Sequence, residues 1–152
     1  MEDLGKRICI IGPSSSGKST LAARLGEILS LPIAHLDTFA HKPNTAWERT
    51  ALPDFIANHD KAIAGDAWIV EGNYSAAMPQ RFAKADTVIW CDVPLAGCIW
   101  RYLKRCAEKE ESRPGQLDGA LREFSFGLIK HTLVQYPKNK KKYKKSSRAI
   151  RT

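Results

Sequence analysis

The chain has 152 residues and a mass of 17.0 kDa, with 43% hydrophobic and 26% charged side chains. That suits one domain whose core needs neither disulfides nor a structural metal. No apolar run approaches the ~20 residues of a membrane span. Eight of the 24 basic residues lie in 138–152, where there is no acid, so residues 1–137 balance at zero and the whole formal charge of +8 belongs to the tail. The basicity therefore describes an appendage on a neutral body, not a nucleic-acid-binding face.

Met1–Ile11 carries two acids and two bases and lacks the order of a secretory signal, so a cytoplasmic protein without membrane association is expected. Lys6–Ile11 (KRICII) is a short, β-branched apolar run, as expected of a strand buried on both faces. It feeds GPSSSGKST, then Leu21–Leu29 with apolar positions at helical spacing. Pro32–Leu36 is a second strand candidate ending at Asp37, followed by a loop containing Pro43 and Asn44. Pro53 opens a predicted helix to about Ala64. Ala67–Val70 is a third strand, running into Glu71, and Asp86–Cys91 a fourth, ending at Asp92. Pro94 starts a helix through about Glu108. A polar, mobile loop is expected over Glu108–Gly119, and a last helix over Leu117–Tyr136, broken by Pro137. Strands alternating with helices imply βαβ units and a parallel sheet covered on both faces.

Cys9, Cys91, Cys98 and Cys106 form no CxxC pair, and His35, His41, His59 and His131 show no HxxxH or HExxH spacing. No metal site of either kind is expected; the thiols read as buried in a reducing compartment.

Gly12, Pro13, Ser14, Ser15, Ser16, Gly17, Lys18 and Ser19 match the spacing GxxxxGKS/T at every fixed position, between a strand and a helix as that motif requires. Glycines let the backbone turn tightly and approach an anion. Successive N–H groups then form a nest for phosphate oxygens, reinforced by the positive end of the following helix. Lys18 supplies a mobile charge for the β- and γ-phosphates, and the Ser19 hydroxyl is a hard ligand for Mg²⁺. Thr20, one position past the motif, is a weaker candidate contact. The pattern predicts a site for a nucleoside triphosphate such as ATP.

Ligands of open parallel sheets bind at the carboxyl ends of the strands, where Asp37, Glu71 and Asp92 are expected. Asp37 either caps a turn or helix or, as a functional residue, orders Mg²⁺-bound water or accepts a proton from an acceptor hydroxyl. Glu71 is either a surface strand end or the acid near Mg²⁺. Asp92, before Val93 and Pro94, reads better as a helix cap. Gly72 permits close backbone approach, Asn73 and Tyr74 can bond or stack a small acceptor, and Arg81 can clamp an anionic one.

These residues resemble the small P-loop kinases of the nucleoside monophosphate kinase-like superfamily. Within it, the chain is most similar to the adenylate kinase-like group of DNA topology modulation proteins (FlaR-type). The resemblance is carried by GPSSSGKST at 12–20, HLD at 35–37, His41 to Trp47, WIVEGNY at 68–74, ADTVIWCDVP at 85–94, and Arg101, Arg105 and Arg113. It covers about residues 6–136. It implies a three-layer αβα P-loop fold with a parallel sheet of four or five strands and a short lid at about 108–119, forming a domain over 1–137 with a basic tail at 138–152. It also implies that Glu71 stands where the pattern usually has an Mg²⁺-associated Asp. Asp37 would then face the acceptor, and Arg101, Arg105 and Arg113 would be lid arginines that neutralise the transferring phosphoryl group. One departure is clear: after Pro137 there is no strand-like run where relatives usually add a fifth strand and a helix.

The function expected is Mg-ATP-dependent transfer of a γ-phosphoryl group to a nucleoside, nucleotide or similar small acceptor. The alternative is an ATP-binding regulatory or DNA-associated protein with weak turnover, using the basic tail on nucleic acid. A switch-type NTPase is disfavoured, because no NKxD-like base-reading motif is present.

Overall fold

The computed structural model describes residues 4–45, 47–107, 114–115, 126–138 and 140. The strands are β1 (Arg7–Ile11), β2 (Ile33–His35), β3 (Trp68–Glu71) and β4 (Thr87–Trp90). The helices are α1 (Lys18–Leu29), α2 (Leu36–Ala40), α3 (Leu52–Ala62), α4 (Met78–Lys84), α5 (Leu95–Ala107) and α6 (Phe126–Lys130). A 3₁₀ turn, Ser75–Ala77, leads into α4, and a π-helical turn, His131–Gln135, follows α6.

The four strands form one parallel sheet in the order β2-β3-β1-β4. Alternation along each strand sorts side chains to two faces. Ile8, Ile10 and Ile69 meet Ala22, Leu21 and Leu25 of α1 on one face. Cys9, Ile11, Trp68 and Val70 meet Phe55 and Ile63, Phe82 of α4 and Tyr136 on the other. The result is a three-layer α/β architecture. Burial also decides the chemistry of Cys9: desolvation, only partly opposed by Arg81, pushes its thiol up to about 12. Cys9 and Cys98 are buried as expected, whereas Cys91 and Cys106 are only partly so. Among the described residues no helix is long and apolar enough to cross a membrane.

Three details differ from the sequence-based expectation. The chain does not leave β2 as a loop: Leu36 and Ala40, one turn apart, are both buried, and their burial winds residues 36–40 into a short helix. A helix also forms over Met78–Lys84, where Met78 and Phe82 bury one stripe and Pro79 sits in the first turn. Helical turns continue through Pro137 to Lys138. A proline is disfavoured inside a regular α-helix, and here it follows directly on the π-helical turn His131–Gln135 and Tyr136. Most of the expected lid, and the tail beyond Lys140, lie outside the described residues.

The sheet is fastened at its amino end by Asp86. Its Oδ2 accepts from the backbone N–H groups of Lys6 and Arg7 at 3.0 and 2.9 Å, and Oδ1 accepts from the Arg7 guanidinium at 2.6 and 3.1 Å. The Arg7 side-chain hydrogen bonds, seconded by the backbone donors, hold the Asp86 carboxyl down to about 2. A carboxyl held below its ordinary value stabilises the fold above that value and ceases to do so as pH falls through the folded one. Asp86→Asn is therefore expected to lower urea-unfolding stability at neutral pH, and the gap to the parent should close between about pH 4 and pH 2. The pair is partly exposed, so added salt should narrow the gap as well. A gap independent of pH would refute the assignment.

Candidate functional site

The turn Gly12–Gly17 leaves the carboxyl end of β1 and is held between the ends of its two neighbours. The ladder runs one residue past each strand: Gly72 N–H donates to Ile10 at 3.1 Å, and Cys91 N–H to Ile11 at 2.8 Å. The Asn73 amide then clasps Gly12 at both backbone groups, accepting from its N–H at 3.0 Å and donating to its carbonyl at 2.5 Å. Gly12 has φ +154°, and a Cβ there would fall 2.8 Å from both the Cys91 Cβ and the Cys91 carbonyl oxygen. Ser15 adopts the left-handed conformation at φ 59°, with its Oγ buried and without a hydrogen-bond partner among the described residues.

Gly17, at φ 92°, caps α1 with no side-chain hydrogen bond, and the first turn carries no acid. Among the described residues no side chain caps the first N–H groups of this 12-residue helix, at the end where the helix dipole favours an anion. Lys18 Nζ folds back to donate to the Pro13 carbonyl at 3.0 Å, so its charge lies over the turn. Pro13 is buried and Thr20 exposed. Ser14 and Ser15 line a small crevice with Cys98, Ile99 and Tyr102 of α5 and with Ile129 and Thr132.

Beside this turn lies an oxygen pair. Ser19, in the first turn of α1, donates through Oγ to Glu71 Oε1 at 2.9 Å, and His35 Nδ1 lies 2.9 Å from the same oxygen. Glu71 is 3% exposed. Burial is the largest influence on its carboxyl and pushes it up. The His35 hydrogen bond, the Lys18 charge and the Ser19 hydroxyl together outweigh burial and hold it below its ordinary value. Glu71 is therefore a buried carboxylate, not a surface strand end. No group of three or more His, Cys, Asp or Glu side chains suited to a metal occurs among the described residues. Ser19 and Glu71 set a hydroxyl and a carboxylate oxygen side by side, the hard donors that a cation such as Mg²⁺ takes along with water.

A second carboxylate faces solvent nearby. Asp37, in the first turn of α2, accepts from Tyr74 OH at 2.6 Å through Oδ1. Burial, then the Asp37 charge, raises the Tyr74 phenol, so it stays protonated and donates. Asp92 pairs with Lys140 at 2.5 Å, and Lys140 also lies over the Trp90 ring.

The arginines divide. Arg101 reaches the turn from α5, its Nε donating to the Ser15 carbonyl at 2.8 Å. Arg105, one turn on, lies 5.2 Å from the centre of the Tyr102 ring. Arg113 lies outside the described residues. Arg81 corrects the expectation of an acceptor clamp: it is fully buried on α4 and donates to the Gly72 carbonyl at 2.6 Å, so it supports the β3 end from beneath. His35 is the site residue that sequence reasoning passed over. It stood within the HLD motif without a role, and its significance follows from its register position opposite Glu71.

No family model and no curated protein sequence matches the chain. Among solved structures it is similar to an unliganded sugar kinase from Janibacter sp. HTCC2649, with 18% identity and a TM-score of 0.44 over 88% of this chain and 95% of that one.

Proposed function

We propose that the chain is a P-loop phosphotransferase that uses Mg-ATP to phosphorylate a nucleoside, nucleotide or similar small acceptor. The observation that carries this reading is the amino end of α1, which no side chain caps among the described residues, framed by the Gly12–Gly17 turn and set directly against the Ser19–Glu71 oxygen pair. Phosphate binding and ion binding then share one rim of the sheet. Bound Mg-ATP would supply the transferable phosphoryl group and an ion that spreads its charge.

The chain's own residues do the positioning. The amides of the turn and Lys18 hold the phosphates, with the Lys18 charge released from the Pro13 carbonyl. Ser19 holds the ion, and Glu71 acts on it through water. Asp37, kept in one orientation by Tyr74, takes the proton of the acceptor hydroxyl. Gly72 and Tyr74 line the acceptor side, while Asn73, expected there from the sequence, is committed to the turn through both of its bonds to Gly12. Arg101, with Arg105 and Arg113, meets the charge of the group in transit.

The test is ADP release from ATP and Mg²⁺ across a panel of nucleosides, nucleotides and small hydroxylated metabolites. One acceptor class is expected to raise release above the acceptor-free rate and to appear phosphorylated by mass spectrometry. If ATP binds but no acceptor stimulates its consumption, the kinase reading fails in favour of an ATP-binding regulatory protein.

A further inference from the structure

Three elements meet at one carboxylate oxygen. Glu71 ends β3 and His35 ends β2, and the two are lateral partners in the sheet. Parallel partners project to the same face. Glu71 is also the lateral partner of Ile10, which packs with Ala22 of α1, so this is the α1 face, from which Ser19 arrives. Both hydrogen bonds, from His35 Nδ1 and from Ser19 Oγ, fall on Oε1 at 2.9 Å. Oε2 takes none among the described residues.

The ring is approached from outside the sheet. Gly115, at φ +70°, approaches so closely that an added Cβ would lie 2.6 Å from His35 Nδ1 and 2.9 Å from Cγ. A side chain at 115 would meet both a left-handed backbone penalty and the imidazole.

We infer that His35 is a positioning residue for Glu71. Its Nδ1–H fixes Oε1 so that Oε2 is presented to water on the ion, and the Gly115 backbone fixes the ring in turn. The inference rests on the reading of Glu71 as the acid beside the ion. The physical need lies in burial: a buried carboxylate is costly unless its oxygens are hydrogen-bonded. A hydroxyl that ligates a cation does so through an oxygen lone pair and keeps its O–H, so Ser19 would stay on Oε1 in the loaded site. Ser19 and His35 would then hold that oxygen together from two elements, His35 in the manner of the outer partners of metal-associated carboxylates.

Mn²⁺ binding to the complex of the protein with a non-hydrolysable ATP analogue, read by electron paramagnetic resonance, tests this. Thermal unfolding of each variant is measured alongside. His35→Leu keeps the volume and removes the donor, and is expected to weaken Mn²⁺ about tenfold or more. His35→Asn, whose amide N–H can stand where Nδ1–H stood, is expected to remain within about threefold of the parent. Gly115→Ala displaces the ring and is expected to weaken binding as His35→Leu does.

A folded His35→Leu that binds Mn²⁺ like the parent overturns the inference, and so does equal loss in the Leu and Asn variants. If His35→Leu does not fold, equal Mn²⁺ affinity in His35→Asn and Gly115→Ala overturns it instead. A parent that binds neither the analogue nor Mn²⁺ refutes the phosphate-site reading itself, and this inference with it. That outcome is distinct from a parent that binds both while the variants do not differ.

Discussion

Lys18→Ala is expected to weaken Mg-ATP binding by about 2–3 kcal/mol, or about 30- to 150-fold in Kd, while leaving thermal stability near that of the parent. Lys18 is the first residue of α1, and its ammonium is tethered inside the turn on the Pro13 carbonyl. The truncation removes a charge-assisted contact to phosphate but leaves the amides of the turn and the end of α1 in place, so some affinity should persist. It also withdraws the positive charge that helps hold the Glu71 carboxyl down. Isothermal titration with ATP analogue and Mg²⁺ reads the effect. Equal affinity in parent and variant would remove the turn from the site.

Gly12→Ala is expected to cost about 2–4 kcal/mol of unfolding stability and to abolish measurable nucleotide binding, because backbone strain and overpacking act together. The new methyl would lie 2.8 Å from the Cys91 carbonyl oxygen, which belongs to the β4 end and is not a flexible side chain. Gly12 cannot retreat without breaking both hydrogen bonds to Asn73. Gly65→Ala is the control: nothing lies within 4 Å of a Cβ there, and the substitution should be neutral or mildly stabilising. Urea unfolding of the three proteins, with nucleotide titration of each, decides the matter. A Gly12→Ala protein as stable as the Gly65→Ala protein would show that the turn accommodates a side chain.

The layout of the sheet was legible where burial leaves a continuous apolar signature. KRICII, AWIV and DTVIWC became β1, β3 and β4 within a residue or two at each end. The short helix at Leu36–Ala40 and the one at Met78–Lys84 were missed, because one or two turns give too little periodicity to stand out from a loop. The turn at 12–19 could be placed from its spacing alone, since both of its neighbours are local. Glu71 could be placed at a strand end, but whether it was solvated depended on His35 arriving from β2, and that pairing follows from a strand order no local pattern encodes. Arg81 failed for a related reason: a guanidinium aimed at a ligand and one buried against a carbonyl look alike in a sequence.

The two ends of the sheet are tied by different chemistry. Asp86 does the work at one end with a charge, and Asn73 does it at the other with a neutral amide that neither gains nor loses a proton. Acidification should therefore release the Asp86 latch by protonation, whereas the Asn73 clasp on Gly12 contains no group for the proton to reach.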